Sequence, residues 1–203
     1  MSLKQEQLPD LELSALTKLI DSASASGNPV DATTIQVLHN LQHQHLWTNL
    51  QIHNLAAPDT SNDFPPVRKL LSGIPPNRVY THPDEQLYML QKGIREDELR
   101  PERLFVIPTA QGQPWSLRRM AFAFDALNDV EVTDDVNELK GPEVDAEKSK
   151  VLDEYYEKRT EAIATQEWGS KRMLLAMVDK GMGGDGTVVY YVVQEGEVKP
   201  RQN

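Results

Sequence analysis

The chain has 203 residues, 39% of them hydrophobic, no cysteine and a formal net charge of -10. That length allows one domain with a sizeable core plus tails, and a mean hydropathy of -0.53 points to a core diluted by solvated segments. The composition excludes disulfides and thiolate chemistry, and the acidic balance argues against a free-standing nucleic-acid binder, because phosphate recognition rests on Lys and Arg. No apolar run reaches the length of a membrane span, and Met1–Asp10 lacks the apolar stretch of a secretory signal.

Residues 1–30 read as an N-terminal extension and 31–203 as the domain. In the extension, Leu11, Leu13, Leu16, Leu19 and Ile20 recur at near-helical spacing, and the flexible composition of Ser22–Gly27 ends the stretch. Asp31 is placed to cap a helix whose apolar residues are Ile35, Val37, Leu38 and Leu41. From Thr48 to His53 polar and apolar residues alternate, which predicts a strand. Residues 57–82 are expected to be an irregular insertion, since Pro58, Pro65, Pro66, Pro75 and Pro76 punctuate it. A short helix follows, with Asp84 and Glu85 near its start, Leu87, Met89 and Leu90 as buried residues and Gly93 as its stop. Leu104–Ile107, halted by Pro108, predicts a buried strand.

Pro114 suits a first helical turn, after which Trp115, Met120, Phe124 and Leu127 recur at helical spacing while Arg118 and Arg119 face outwards or towards a partner. Residues 128–169 read as an acidic insertion broken by Gly141 and Pro142. Its first half has no apolar period and predicts disorder. Its second half, with Val151, Leu152, Tyr155, Tyr156 and Ile163, predicts a mixed-charge helix. Two strong strand candidates follow, Met173–Val178 and Thr187–Val193, joined by the glycine-rich Asp179–Gly186. Neither alternates polar with apolar residues, so both faces should be covered, with part of that cover coming from another subunit.

Direct signs of chemistry are sparse. His39 and His43 share a helical face at metal-ligand spacing, but their neighbours Asn40, Gln42 and Gln44 offer no acidic third ligand, and a solvated helix face is preferred. Gly181–Gly186 precedes a strand rather than opening a helix and lacks Gly-Lys-Ser/Thr, so a hairpin loop is preferred over a phosphate cradle. No serine lies in a nucleophile elbow, and the acidic segment lacks the burial that tunes carboxylates for acid–base work.

Three stretches together carry a resemblance: Leu104–Thr109, the helix from Trp115 to Leu127, and the hairpin Leu174–Asp179 with Thr187–Tyr191. In this order they are similar to the C-terminal half of the tRNA-intron endonuclease family, and the pair Thr34–Leu41 and Trp47–Leu55 resembles the opening of its smallest eukaryotic subunit. The resemblance touches about half of the chain, its most specific piece being the Thr-Val-Val-Tyr-Tyr strand. The insertions 57–82 and 128–169 depart from the shorter animal version and suit a fungal one.

The resemblance implies an α/β fold, with a mixed or antiparallel central sheet flanked by helices and carrying disordered insertions. The family's nucleases cut RNA with a Tyr, a His and a Lys: a base for the ribose hydroxyl, an acid for the leaving oxygen and a cation for the phosphorane charge. Lys171 falls where the Lys would sit and Tyr88 in the region of the Tyr, but Leu99–Glu102 holds no His and none follows His82. The implied role is therefore a non-catalytic structural subunit with no cofactor. It would pair directly with the subunit that cleaves the 3′ splice site, join the 5′-cutting subunit and the large structural subunit in a heterotetramer, and meet pre-tRNA indirectly.

Pairing in this family runs through C-terminal sheets, which makes Thr187, Val188, Val189, Tyr190, Tyr191, Val192 and Val193 the expected interface. Their backbone and side chains would extend a sheet across two chains. Asp179 and Asp185 stand as candidates for a docking loop, with ordinary turn chemistry as the alternative. Arg118, Arg119, Lys171 and Arg172 stand as RNA-facing candidates, against a generic solvated face. An active nuclease using His82 in place of the missing histidine and an unrelated interaction module remain open. The implied localisation is the nucleus, with the cytosolic face of the mitochondrial outer membrane as the fungal alternative.

Overall fold

Ile35, Val37 and Leu41 lie on one side of helix α1 (Ala32–His43), and all three are buried. In the computed structural model, which describes residues 14, 18, 32–55, 69–127, 145–179 and 187–195 and the backbone of 197–200, this helix packs on one face of a six-stranded sheet. The strands are β1 (Thr48–Asn54), β2 (Lys69–Ile74), β3 (Leu104–Ala110), β4 (Arg172–Val178), β5 (Val188–Gln194) and β6 (Glu197–Pro200), side by side in chain order. All neighbours are antiparallel except β3 and β4, which run parallel with Val106 opposite Leu174 and Ala110 opposite Val178. A parallel pair needs a crossover, and helices α3 (Leu117–Ala126) and α4 (Ala146–Ala164) lie on it. The mixed sheet with its helices is the α/β architecture expected from the sequence.

Alternation along the strands sorts the core into two layers. Leu71, Val106, Leu174, Ala176, Tyr190 and Val192 pack with Val37, Leu41 and Trp47 on the α1 face. Leu70, Ile107, Met173, Leu175 and Val193 pack on the other face with Ala123 and Phe124 of α3. A third cluster joins Met89 of helix α2 (Pro83–Lys92) to Leu152 and Tyr155 of α4, with Trp168 closing it. Gly93 ends α2 in the left-handed region (φ 64°), and Ile94 N–H returns to the Met89 carbonyl at 2.9 Å.

Several readings are corrected. Residues 69–74, expected to belong to an irregular insertion, form β2: the flanking prolines mark its two ends, and Leu70 and Leu71 are both fully buried. Gly73 lets β2 run close to β1, since a Cβ there would stand 2.7 Å from Leu50 Cδ2 and 3.2 Å from the Thr48 carbonyl oxygen. Pro108 does not halt β3. It falls beyond the residues that pair with β2, where its missing N–H disrupts no ladder on that side. On α2, Leu87 and Leu90 face solvent, and the buried positions are Glu85 and Met89.

Helix α3 begins at Leu117 with Ser116 as its cap, three residues after Pro114. The mixed-charge helix of the acidic segment is present as α4. For the N-terminal stripe, one described contact, Lys18 N–H to the Ser14 carbonyl at 3.0 Å, has helical spacing. The cap at Asp31, the first half of the acidic segment and the loop Gly181–Gly186 with Asp185 lie outside the described residues.

Candidate functional site

Because β3 and β4 are parallel, both begin at the same end of the sheet, and a cavity of about 830 Å³ lies there. Arg78 and Tyr80 line it from the segment before α2, Arg100 and Glu102 from the approach to β3, Arg159 and Ile163 from α4, and Lys171 and Arg172 from the start of β4. Leu104, Leu174 and Val192 supply apolar lining.

Part of this wall belongs to a buried ionic hub. Glu85, 1% exposed, accepts hydrogen bonds from the Tyr155 hydroxyl at 2.6 Å and from Arg78 at 2.9 Å, and lies 3.3 Å from Arg159 Nε. Glu102 is held by Arg78 and, at 2.8 Å, by Arg159. Burial pushes the Glu85 carboxyl upward, but the hydrogen bonds from Tyr155 and Arg78 and the two guanidinium charges outweigh it and hold Glu85 below the usual carboxylate range. Tyr155 is displaced upward by burial and by its bond to that carboxylate, so it stays a neutral donor. Two guanidinium groups thus meet two carboxylates, and the hub is balanced.

The hub was missed in the sequence. Its one signal is that Glu85 stands four residues before Met89, where a helix facing a core should carry an apolar side chain.

The four cations expected to face RNA fall into two separate pairs. Lys171 and Arg172 line the cavity. Arg172 donates to the Trp168 carbonyl at 2.9 Å, its guanidinium lies 5.1 Å from the Tyr80 ring centre, and burial lowers its pKa. Arg118 and Arg119 sit at the start of α3 and do not line the cavity. Arg118 is exposed, while Arg119 stacks on Trp115 at 4.1 Å and donates to the Pro114 carbonyl at 3.2 Å.

The expected interface strand splits by face. Tyr190 and Val192 belong to the α1 layer, and the Tyr190 hydroxyl donates to Asn40 at 2.6 Å. Val193 is buried in the α3 layer, with Tyr191 and Met177 at that layer's partly buried rim. Val189, opposite Met177 on β4, is 46% exposed. Most of the cover that both faces require therefore comes from the chain itself. On β5, β4 pairs along the whole strand while β6 pairs with Tyr191–Gln194 only, so Val188–Tyr190 have a paired neighbour strand on one side alone among the described residues. Thr187 precedes β5, and its carbonyl accepts from Asp179 N–H at 3.1 Å, the hairpin-closing turn contact.

His82, the candidate substitute for a catalytic histidine, caps α2, its Nδ1 accepting from Asp84 N–H at 3.3 Å. Tyr88 packs against Trp168 and Tyr155 with ring centres 5.5 and 6.4 Å away. Neither residue lines the cavity, and the described lining contains no histidine. His39 and His43 do share a face, with ring centres 4.5 Å apart, and no third His, Cys, Asp or Glu joins them among the described residues. The lining brings Arg78, Arg100, Arg159, Lys171 and Arg172 together with Glu96, Asp97 and Glu102.

A mixed sheet with this hairpin and an arginine-rich cavity at the head of its parallel pair defines an α/β domain of the kind the hairpin resembles. The chain matches the model of the family described as Sen15 protein over residues 36–139 and 146–203, and it belongs to that family. It is 33% identical over 181 residues to the Probable tRNA-splicing endonuclease subunit tsp-1 of Neurospora crassa, an alignment covering 86% of this chain and 67% of that protein. No solved structure matches the chain. No helix among the described residues is long and apolar enough to cross a membrane.

Proposed function

We propose that this chain is a subunit of a tRNA-splicing endonuclease, serving as a non-catalytic partner that supports excision of introns from pre-tRNA. The observation that carries this is the family match across most of the chain, together with a relative named as such a subunit. A structural rather than a cutting role is favoured by the cavity at the head of β3 and β4. Lys171 lines it, but the histidine that would complete an acid–base pair is missing from the described lining, and the one substitute the sequence offered is committed to capping α2.

The partner in this reading is the subunit that cleaves the 3′ splice site, with the 5′-cutting subunit and the large structural subunit completing a heterotetramer. The α3-side rim of the β4–β5 ribbon is the surface assigned to it, because Val189 is exposed and Tyr191 and Met177 are only partly covered. Asp179 and Asp185 are the candidates for contact with the opposite pair. The nucleus is the proposed location, with the cytosolic face of the mitochondrial outer membrane as the alternative.

The test is affinity purification of the tagged full chain from its host, with identification of stoichiometric partners. Nuclease subunits in equal amounts are expected, and Val189→Asp or Tyr191→Asp is expected to release them. Purification of the unmodified chain without any nuclease subunit would contradict the reading, and retention of the complex by both variants would contradict the surface.

A further inference from the structure

Helix α1 ends with two imidazoles that the rest of the fold leaves unengaged. His39 and His43 stand four residues apart on one face of the helix, their ring centres 4.5 Å apart and their planes inclined at 49°. Beyond this contact with each other, neither makes a hydrogen bond or ion pair among the described residues. The other three histidines are committed elsewhere: His45 meets the Tyr190 ring edge-on, His53 bonds to Ser72 at 2.7 Å, and His82 caps α2.

The backbone beneath the pair is fixed at several points. Val37 and Leu41, on the opposite side of the helix, are buried in the sheet core. Asn40, next to His39, accepts from the Tyr190 hydroxyl of β5 at 2.6 Å. Past His43, the N–H groups of Gln44 and His45 close on the Asn40 carbonyl at 2.9 and 3.2 Å, and Trp47 N–H closes on the Leu41 carbonyl at 2.9 Å. The four-residue spacing is therefore held by a helix end anchored to the sheet, where fraying would otherwise separate the rings.

That spacing is the one by which a helix presents two imidazoles to a single metal ion. Imidazole nitrogen binds a divalent transition metal at about 2.0–2.1 Å, and two rings in neighbouring coordination positions then lie roughly 4.5–5 Å apart, centre to centre. The observed rings already stand at that separation. His43 is in the last turn of α1, where the carbonyl ends of a helix favour positive charge, and residues 32–54 contain no Lys or Arg to oppose it. With two protein ligands the remaining positions fall to water, which makes an open chelate rather than a closed structural site.

We propose that His39 and His43 form a chelating site for a late first-row divalent cation, Cu²⁺ or Zn²⁺, the class that imidazole ligands favour. The bound ion clips the end of α1 and stabilises the folded chain, because the unfolded chain does not hold the two rings at helical spacing. The site is built within one chain and does not rest on the subunit role.

The test titrates the purified, untagged full chain with Cu²⁺ and with Zn²⁺ by calorimetry in buffer free of chelators. Electron paramagnetic resonance of the Cu²⁺ form reports the bound imidazoles through their nitrogen couplings. Saturable binding of one ion per chain is expected, with a melting temperature that rises as the ion is added. His39→Gln and His43→Gln are each expected to lower affinity by about tenfold or more, since even changes outside the ligand set cost that much. His43 is exposed, so its variant is expected to melt like the unmodified chain when no metal is present. His82→Asn, which keeps a capping side chain on α2, is expected to bind as the unmodified chain does. No saturable binding of either ion overturns the proposal. So does binding that persists unchanged in both His39→Gln and His43→Gln, the behaviour of ions gathered by the acidic surface of a chain with a net charge of -10. Purification of the complex is scored separately, so either reading can fail without the other.

Discussion

Glu85 does most to decide how the cavity wall is built. It is a carboxylate with 1% of its side chain exposed, and three groups from two other segments converge on it. Removing one member of such a set leaves charge buried without a partner, which costs more than the set contributes as a whole. Glu85→Gln is therefore expected to lower unfolding free energy by about 3–5 kcal/mol, measured by chemical denaturation.

The pH dependence follows from the same site. The folded-state pKa of Glu85 lies below its ordinary 4.5, so near that pH the unfolded chain binds the proton more readily. Its contribution is complete above 4.5 and is lost as pH falls through the depressed value. Melting temperature should drop over that acid range, and the drop should be shallower in Glu85→Gln. None of this was legible from residue types, because nothing local to Glu85 names Arg78, Arg159 or Tyr155 as partners. Only its place in the helical period departs from the ordinary.

Among the elements, those with strong local patterns were readable. The apolar period of α1, the alternation of β1, the compact run of β3 and the hairpin strands β4 and β5 all stand where the sequence places them. Strand β2 was hidden because four prolines flank six residues, and proline density reads as loop whether it fills a segment or brackets one. The isolated Gly73 was its available clue. Gly73→Ala is expected to destabilise the fold by about 1–3 kcal/mol, because the new methyl group meets Leu50, Trp47 and the Thr48 backbone at once; a denaturation midpoint measures it.

The uniformly apolar β5 was read as needing outside cover, and the structure supplies most of that cover from α1 and α3. A run without alternation shows that both faces are buried but not by whom. Val189→Asp places charge at a half-exposed site, so the isolated chain should keep its unfolding free energy within about 1 kcal/mol. Any loss of partner binding in this variant then reports on the surface rather than on the fold.

At the scale of the molecule, the α/β class and the family were legible from the order of strand, helix and hairpin, because sheet topology fixes which hydrophobic runs must follow one another. The cavity was not, since its wall is assembled from five separated stretches of chain. In the proposed function the cutting chemistry belongs to a partner and this chain does the work of assembly. Incubating the purified full chain with an intron-containing pre-tRNA, alone and within its isolated complex, tests that division directly. Cleavage by the complex and none by the chain alone is the expected result; cleavage by the chain alone, abolished in His82→Ala, would contradict it.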